Sequence, residues 1–495
     1  MDKAEKDIEK NGNFESVYKP LTYEISKPQL FTTEKKSDKR NTWFLYFTSL
    51  TADLLMFDCG CNFTWTSPAL STLKSPDANI NPLGVPVTPW QISWIAALIN
   101  LGAAVGPLAF GKLPDVFGRR KVLIFIAISK IISYIILALA HNIYLFYLGR
   151  FLMGIGLGLS FSVMPMFTVE ISEDHNRGKL ASIMGVFATL GMLYTLIVGP
   201  LLSLKIFTLS CTSFLVVALI SFVTVTPETP TFLVSIGKMS SAEKSLMKLR
   251  NSERVDQDLI QLSEMTEKGN SKSKITDIFR TPSLRKGIII CLSLCSLQHL
   301  SGIFPIMAFI GPIFEVTGSR IPVNLSVILV SVIQLIANIV SSIIIEKLGR
   351  KPLLLLSTIG ACLSLLSLGF YFYLKECESS YLQSIFWLPV TSLVFYMVSF
   401  SIGLTSVPMT ILSEIFPSEV RAVATSFVTF FGASTGFLVT FIFPIVTMFF
   451  GEARCFWLFA GFTALGAAFI YFVIPETKGK SISEIQKVLG SKETN

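Results

Sequence analysis

Charged residues are scarce in this chain. Only 15% of its 495 residues are Asp, Glu, Lys or Arg, whereas 51% are hydrophobic, and the mean hydropathy is +0.62. A soluble domain of this size needs many more polar side chains to cover its surface. The composition therefore excludes a soluble globular domain and indicates a chain whose main solvent is not water.

Sequence motifs of metal sites and of common enzymes are also missing. The eight cysteines lie in or beside hydrophobic segments without Cys-x-x-Cys spacing, which supports neither a zinc site nor a disulfide framework. No pair of metal ligands, nucleophile elbow or phosphate-binding loop is recognisable. We therefore expect no enzyme activity, no metal and no cofactor.

The hydrophobic residues instead form long runs. A helix that crosses the hydrocarbon core takes about 20 mostly apolar residues, with every backbone group bonded internally. Twelve such segments are present, six on either side of a polar stretch, and they predict an all-α membrane protein with twelve transmembrane helices. The segments run at about 43–66, 90–111, 121–140, 144–169, 180–203, 206–226, 286–310, 322–345, 352–374, 385–412, 423–449 and 453–474.

Polar segments divide the chain into five predicted parts. Residues 1–42 are rich in Lys, Glu, Ser and Asn without an apolar period, which predicts a disordered tail. Six helices follow at 43–226, then a linker at 227–285, six further helices at 286–474 and a second tail at 475–495. For the linker we expect short amphipathic helices, with a solvated segment as the alternative. The first apolar segment lacks a cleavage site, so we expect a retained helix.

Lys and Arg are distributed unevenly between alternate loops. If both termini are cytosolic, the outer loops hold only five of the 41 basic residues, namely Lys74, Lys205, Arg320, Lys375 and Arg454. Basic residues are retained on the cytosolic side of a membrane protein. We therefore expect a multi-pass plasma-membrane protein with both termini in the cytosol. The net charge of +8 then faces the cytosolic leaflet, and it requires no nucleic-acid partner.

Short motifs recur in the two halves of the chain. The turn between helices two and three reads Gly-Lys-Leu-Pro-Asp-Val-Phe-Gly-Arg-Arg-Lys at 111–121, and the turn between helices eight and nine reads Glu-Lys-Leu-Gly-Arg-Lys-Pro at 346–352. Helices four and ten end in similar Pro-Met segments at 165–170 and 408–414, each followed by an Arg. The halves therefore repeat the same pattern of helix ends.

The two halves also end in the same motif, Pro-Glu-Thr, at 227–229 and at 475–477. For any single charge at these helix ends, a solvated ring facing the headgroups is the simpler explanation. Matched sets of both signs favour an ion-pair network, which can bias a two-state equilibrium. The candidate network consists of Asp115, Arg119, Arg120, Glu170, Arg177 and Glu228 in the first half and Glu346, Arg350, Lys351, Glu414, Arg421 and Glu476 in the second.

These motifs resemble the sugar porter family of the major facilitator superfamily, and Trp-Thr-Ser-Pro-Ala-Leu at 65–70 resembles its facilitated trehalose transporter branch. The resemblance covers roughly 43–490. It implies two pseudo-symmetric six-helix bundles that rock about a central site, and it implies that the charge network latches the cytosolic side shut. Thr231 stands where the family usually has Arg, so the network of the first half lacks one member.

Helix seven is expected to contribute to the substrate site. Gly302 and Pro305 interrupt it, and only broken helices let backbone and polar groups line a midplane cavity. Its segment 298–305 is similar to the family's Gln-Gln-x-Ser-Gly-Ile-Asn, and Gln334 stands at a second amide position of the family. The resemblance implies a substrate-binding set of Gln298, His299, Ser301, Gly302, Phe304, Gln334 and Met409.

Several sugar-contacting positions of the family are changed in this chain. An unmatched sugar hydroxyl costs about 1–3 kcal/mol, so we expect hexose binding to be weakened unless other residues compensate. A carrier of a non-hexose solute and a non-transporting sensor are therefore the alternatives, although the short C-terminal tail counts against a sensor. His299 replaces a Gln, Phe304 an Asn, Gly185 a Gln, Met409 a Trp, and Gly432 with Ala433 an Asn-Trp pair.

Asp58 and Arg150 are candidates for an intramembrane charge pair, either structural or part of a proton relay. Asn62 stands where proton-coupled relatives carry an acidic residue, which favours facilitated diffusion. We therefore expect a monomeric carrier that moves a hexose or trehalose-like sugar by alternating access, with proton coupling as the alternative. Its expected partners are the small-molecule substrate and the lipid bilayer.

Overall fold

The computed structural model describes residues 43–173, 175–252, 255–268, 281–318, 320–344, 348–480 and 482–490. Within these ranges every regular element is a helix. The predicted tail at 1–42 and the network residue Glu346 lie outside the described residues.

Six long helices form the first half of the molecule. The first-half elements are α1 (Trp43–Thr64), α2 (Thr66–Leu73), α3 (Pro89–Phe110), α4 (Leu113–Phe117), α5 (Arg119–Ala138), α6 (Ile143–Ile171), α7 (Arg177–Val198), a 3-10 turn (Gly199–Leu201) and α8 (Leu204–Thr224). Helix α3 packs against α6, α1 packs against α7 and α8, and α5 contacts both α6 and α8.

The second half repeats this arrangement. Helix α16 packs against α17 and α20, α15 packs against α17, and α12 contacts α19 and α20. The second-half elements are α12 (Pro282–Leu300), α13 (Ile303–Ala308), α14 (Ile310–Thr317), α15 (Val323–Ile344), α16 (Arg350–Glu376), a 3-10 turn (Ser380–Gln383), α17 (Leu388–Ile402), α18 (Val407–Ile415), α19 (Ser418–Phe450) and α20 (Glu452–Val473).

Eleven segments of the described chain are long and apolar enough to cross a membrane. They correspond to eleven of the twelve predicted spans. The twelfth is α1, a 22-residue helix whose apolar run is diluted by Asp53, Asp58 and Asn62. These polar residues are buried, because α1 packs among α6, α7 and α8.

Two predicted spans are not single helices. The predicted segment 286–310 breaks after α12, where Gly302 adopts a φ of +85°. A Cβ atom there would lie 2.6 Å from the Phe459 ring, so both the backbone conformation and the packing require glycine. The predicted segment 385–412 breaks between α17 and α18, where the Leu404 amide donates to the Ser357 hydroxyl instead of continuing the helix. Hydropathy detects the length of such segments but not their interruptions.

Short helices connect and flank the halves. They are α9 (Pro230–Ser235), α10 (Met239–Arg250) and α11 (Asp256–Lys268) after the first half and α21 (Ile482–Gly490) after the second. Arg250 fixes α10 to the end of α6, because its guanidinium donates to the carbonyl oxygens of Ile171 at 2.7 Å and Ser172 at 3.1 Å. These contacts satisfy carbonyl groups that the end of a helix leaves unbonded.

The two ends of the molecule differ. We call the end that carries residues 111–119 and 348–350 the basic side, and the other end the opposite side. The halves contact each other mainly through α3 with α19 and α7 with α15. On the opposite side the Gly311 amide donates to the Ser67 hydroxyl at 2.9 Å, and the Trp94 and Phe441 rings lie 4.9 Å apart. The halves therefore meet on the opposite side.

Candidate functional site

A cavity of about 670 Å³ lies between the two halves. Pockets for small molecules have volumes of roughly 300–1,000 Å³. Its lining extends to Ser182 near the start of α7 and to Thr410 in the first half of α18, the helix that leads to Glu414, so the cavity reaches towards the basic side. The space between the halves is therefore accessible from one end and closed at the other.

The cavity is uncharged. Within the described residues its lining contains no Asp, Glu, Lys or Arg. Amide side chains supply much of its polarity, from Asn100, Gln298, Gln334 and Asn338. A charged solute would lose its hydration there without gaining an opposite charge. The lining therefore suits a neutral solute with hydrogen-bonding groups.

The four amide side chains differ in whether they already make hydrogen bonds within the protein. Asn338 donates to the Thr189 hydroxyl at 2.8 Å across the two halves, and Asn100 donates to the Thr440 hydroxyl at 3.2 Å. Neither Gln298 nor Gln334 makes a side-chain hydrogen bond to another described residue. These two glutamines therefore keep their donors and acceptors for a solute.

Five of the seven predicted substrate-binding residues line the cavity: Gln298, His299, Phe304, Gln334 and Met409. The structure does not bring the other two, Ser301 and Gly302, into its lining. The Ser301 hydroxyl is buried 3.1 Å from the Tyr396 hydroxyl, which in turn donates to the Ser301 carbonyl oxygen at 3.0 Å. Ser301 thus stabilises the break in helix seven through contacts with Tyr396 outside the cavity lining, and Gly302 forms the break.

Aromatic rings form a continuous patch on one wall. Phe63 lies 5.5 Å from Phe304 and 6.0 Å from Phe161, measured between ring centroids. His299 stacks on Phe304 at 4.9 Å. Its Nδ1 lies 2.6 Å from the Cys295 carbonyl oxygen, so Nδ1 carries the proton and Nε2 is an acceptor.

The cavity is also lined by Phe63, Phe161 and Asn338, which the sequence did not predict as site residues. Asn338 follows Gln334 by one helical turn, so a helical projection of α15 would have found it. Phe63 is adjacent to Asn62, which the sequence analysis did single out. No comparable signal exists for Phe161, because only the packing of α6 decides which of its residues face the cavity.

The candidate charge network forms two matching sets on the basic side. In the first half Arg119 pairs with Glu170 at 2.9 Å and with Asp115 at 3.5 Å. Glu228 accepts a hydrogen bond from the Arg120 amide at 3.0 Å. The Arg120 side chain caps α8 by donating to two of its last carbonyl groups. The charges thus join the ends of α5, α6 and α8.

The second set has the same geometry. Arg350 pairs with Glu414 at 2.9 Å, and Lys351 donates to the Tyr471 carbonyl oxygen at 2.7 Å. Glu476 accepts from the amides of Arg350 and Lys351 at 2.9 and 3.1 Å. Burial opposes ionisation of Glu476, but backbone hydrogen bonds from Lys478 and these two residues outweigh it and lower the pKa of the carboxyl group.

The ion pairs of the network for which the structure describes both partners each lie within one half. Arg177 begins α7, and Arg421 donates to the Phe416 carbonyl oxygen at 3.1 Å. In the same structure, the cavity between the halves reaches towards the basic side.

The predicted pair between Asp58 and Arg150 is wrong. Asp58 pairs with Lys130 at 2.9 Å, and it also accepts from the Tyr134 hydroxyl at 2.7 Å and from the Asn62 amide at 2.9 Å. Gly156 leaves room for Lys130, since a Cβ there would lie 2.6 Å from its side chain. The pairing depends on the Lys130 side chain passing Gly156 of α6 to reach α1, and the sequence does not reveal that path.

Arg150 is satisfied by other groups. Its guanidinium donates to the Ile95 carbonyl oxygen at 2.9 Å and to the Thr66 hydroxyl at 3.0 Å. It also lies 5.3 Å from the centroid of the Trp65 ring, within range of a cation-π contact. Arg150 therefore ties α6 to α3 and to the junction of α1 and α2.

Comparison with known proteins agrees with this architecture. The family model described as "Sugar (and other) transporter" matches residues 32–489. The chain is 31% identical to the facilitated trehalose transporter Tret1 of Aedes aegypti over 94% of this chain and 57% of that protein. It is 30% identical to Tret1 of Drosophila virilis over 94% and 51%, and 31% identical to Tret1 of Culex quinquefasciatus over 90% and 86%. The chain thus spans little more than half the length of the first two relatives.

Solved structures have the same fold. The inward open conformation of the xylose transporter XylE from E. coli aligns with a TM-score of 0.74 at 22% identity, covering 90% of this chain and 99% of that one. XylE bound to 6-bromo-6-deoxy-D-glucose, described as a proton:xylose symporter, aligns with a TM-score of 0.71 at 23% identity over the same shares. These matches confirm the predicted twelve-helix fold of two pseudo-symmetric bundles. The chain is a member of the sugar porter family of the major facilitator superfamily.

Proposed function

We propose that this protein is a carrier that moves a neutral, sugar-like solute across a membrane by alternating access. The observation that carries the proposal is the uncharged cavity between the halves, with the unoccupied amides of Gln298 and Gln334 in its lining. The relatives named facilitated trehalose transporters support a sugar as the solute.

The contacts between the halves suggest how access would alternate. On the opposite side, the hydrogen bond from Gly311 to Ser67 and the ring contact between Trp94 and Phe441 hold the halves together. Opening that side requires these contacts to separate while α7 and α15 approach on the basic side. Rocking of two rigid bundles achieves both changes without unfolding a helix.

The orientation proposed for the carrier follows from the distribution of basic residues. We assign the basic side to the cytosol, the membrane to the plasma membrane and the functional unit to a monomer. Lys and Arg are scarce in the loops assigned to the outside, which supports this orientation. With this assignment the structure is an inward-open state.

We propose facilitated rather than proton-coupled transport. Within the described residues no carboxylate lines the cavity, and the Asp58 carboxylate is already held by Lys130, Tyr134 and Asn62. One observation favours the alternative: Asp53 is fully buried in α1, and neither of its oxygens has a hydrogen-bond partner among the described residues. A buried carboxyl group inside the membrane is a candidate for a proton relay.

Counterflow in proteoliposomes tests both parts of the proposal. The purified chain is reconstituted, and the exchange of labelled glucose and trehalose is measured with and without a proton gradient. We expect exchange that brings the two sides to equal concentration in both conditions. Absence of flux for every sugar tested would contradict the sugar assignment, and accumulation that requires the gradient would contradict facilitated transport.

A further inference from the structure

Phenylalanine rings and unoccupied amides in the cavity lining come from different helices. Three phenylalanine rings are contributed by α1, α6 and α13 through Phe63, Phe161 and Phe304. The two unoccupied amides are contributed by α12 and α15 through Gln298 and Gln334. A solute in this cavity therefore meets aromatic rings and amide groups at the same time.

The aromatic patch is accessible and built as a unit. The Phe161 side chain is 41% exposed, and Phe63 contacts both other rings. His299 stacks on Phe304 and is held by the Cys295 carbonyl oxygen, which fixes the orientation of the Phe304 ring. Offset and tilted ring contacts of this kind favour a further aromatic or apolar group over a hydroxyl.

A free hexose does not match the wall formed by the aromatic patch. Hydroxyl groups surround its ring, and each one that is removed from water needs a hydrogen-bond partner. Gln298, Gln334 and the acceptor Nε2 of His299 can serve one edge of a sugar, but the phenylalanine rings offer neither donors nor acceptors. Hydroxyl groups that face the aromatic patch would remain unmatched.

We infer that the preferred solute is a neutral amphipathic glycoside, with one sugar ring held by Gln298 and Gln334 and an apolar aglycone packed against Phe63, Phe161 and Phe304. The inference rests on the proposed carrier function and specifies its substrate class. The cavity volume of about 670 Å³ accommodates a solute of two rings. The absence of charged groups from the described lining matches an uncharged aglycone.

The test compares two solutes that share one sugar ring. Counterflow of labelled glucose and of labelled phenyl β-D-glucoside is measured in the same proteoliposomes containing the full chain. We expect the half-saturating concentration of the phenyl glucoside to be lower by about tenfold or more, because a buried aromatic contact replaces unmatched hydroxyl groups. Equal or stronger transport of glucose would overturn the inference while leaving the carrier function intact.

Two further outcomes are decisive. If neither solute is transported, both the inference and the proposed sugar carrier are overturned. If benzyl alcohol, which has no sugar ring, inhibits exchange as strongly as the phenyl glucoside, the sugar part of the inference is overturned. Inhibition by the glucoside alone supports it.

Variants of the aromatic patch separate recognition from folding. Phe304→Asn and the milder Phe161→Leu should each raise the half-saturating concentration of phenyl glucoside severalfold and leave that of glucose unchanged or lower. Phe370→Leu is the matched control, because this half-exposed residue of α16 lies outside the cavity lining. A preference for the glucoside that survives both cavity variants would overturn the assignment of the aglycone to this patch.

Discussion

The ion pair between Lys130 and Asp58 is fully buried. Its carboxylate is satisfied by three donors, from Lys130, Tyr134 and Asn62. Removing one member of such a pair leaves a buried charge without its counter-charge, whereas removing both members can be nearly neutral. The pair thus makes the contact between the Lys130 side chain of α5 and α1 sensitive to single substitutions.

Lys130→Met should therefore destabilise the protein by about 3–5 kcal/mol. The double variant Lys130→Met with Asp58→Asn should recover most of that loss. Thermal unfolding of the detergent-solubilised protein measures both. Arg454→Ala is the matched control, because its pair with Glu376 at 3.3 Å is solvent-exposed and is worth about 0–1 kcal/mol. Equal effects of the single and the double variant would contradict a charge-pairing role.

Gln298 is the second residue whose role a single substitution can isolate. Gln298→Ala removes two donors and an acceptor from the cavity, so the half-saturating sugar concentration should rise by roughly 5- to 150-fold, equivalent to about 1–3 kcal/mol. Counterflow measures the change. Gln383→Ala is the control, because this exposed residue lies outside the cavity. An unchanged sugar affinity in Gln298→Ala would remove this residue from the site.

Among the elements, the broken helices give the cavity its shape. The Gly302 break separates α12 from α13, so Gln298 at the end of α12 and Phe304 at the start of α13 both reach the cavity. Gly302 and Pro305 made the interruption in helix seven predictable. The break between α17 and α18 depends on a hydrogen bond to Ser357, a residue distant in sequence. A local sequence pattern contains no signal for that contact.

Gly302→Ala tests the first break. Its φ of +85° is unfavourable for alanine, and the new Cβ would clash with the Phe459 ring. We expect a loss of roughly 1–3 kcal/mol in stability, together with reduced transport. In a background that already carries Phe459→Ala, the added cost of Gly302→Ala should be smaller but not zero, because the clash is gone and the backbone strain remains. Gly461→Ala is the control, because open space surrounds this helical glycine and alanine should stabilise it by about 0.5–1 kcal/mol.

At the scale of the whole molecule, apolar length was enough to predict the twelve spans, because the bilayer imposes one length on every crossing helix. The repeated motifs predicted matched charge networks in the two halves but no individual pair, and the structure pairs Arg119 with Glu170 and Arg350 with Glu414 at equivalent helix ends. The partner of Asp58 and the aromatic patch were not predictable, because each depends on the rotation of one helix against another. Contacts between helices decide that rotation, and hydropathy does not record them.

The charge network offers a test of how the whole molecule switches. In this structure the described ion pairs stay within each half while the cavity reaches towards the basic side. If the network stabilises the state in which that side is closed, Arg119→Ala should shift the population further towards the state open on the basic side, which is inward-open in the proposed orientation. A gap of a few kcal/mol between the states makes such a shift measurable. Glu170→Ala should act in the same direction, because the two side chains share one ion pair.

Accessibility labelling measures this shift. Ser182→Cys places a thiol in the exposed lining near the basic side, and a membrane-impermeant maleimide is applied from the cytosolic face. Labelling should be severalfold faster in Arg119→Ala than in the parent, whereas Asp115→Ala should change it little, because Asp115 is 69% exposed and lies 3.5 Å from Arg119. Unchanged labelling in both network variants would mean that the matched charges stabilise the individual halves and do not latch one against the other.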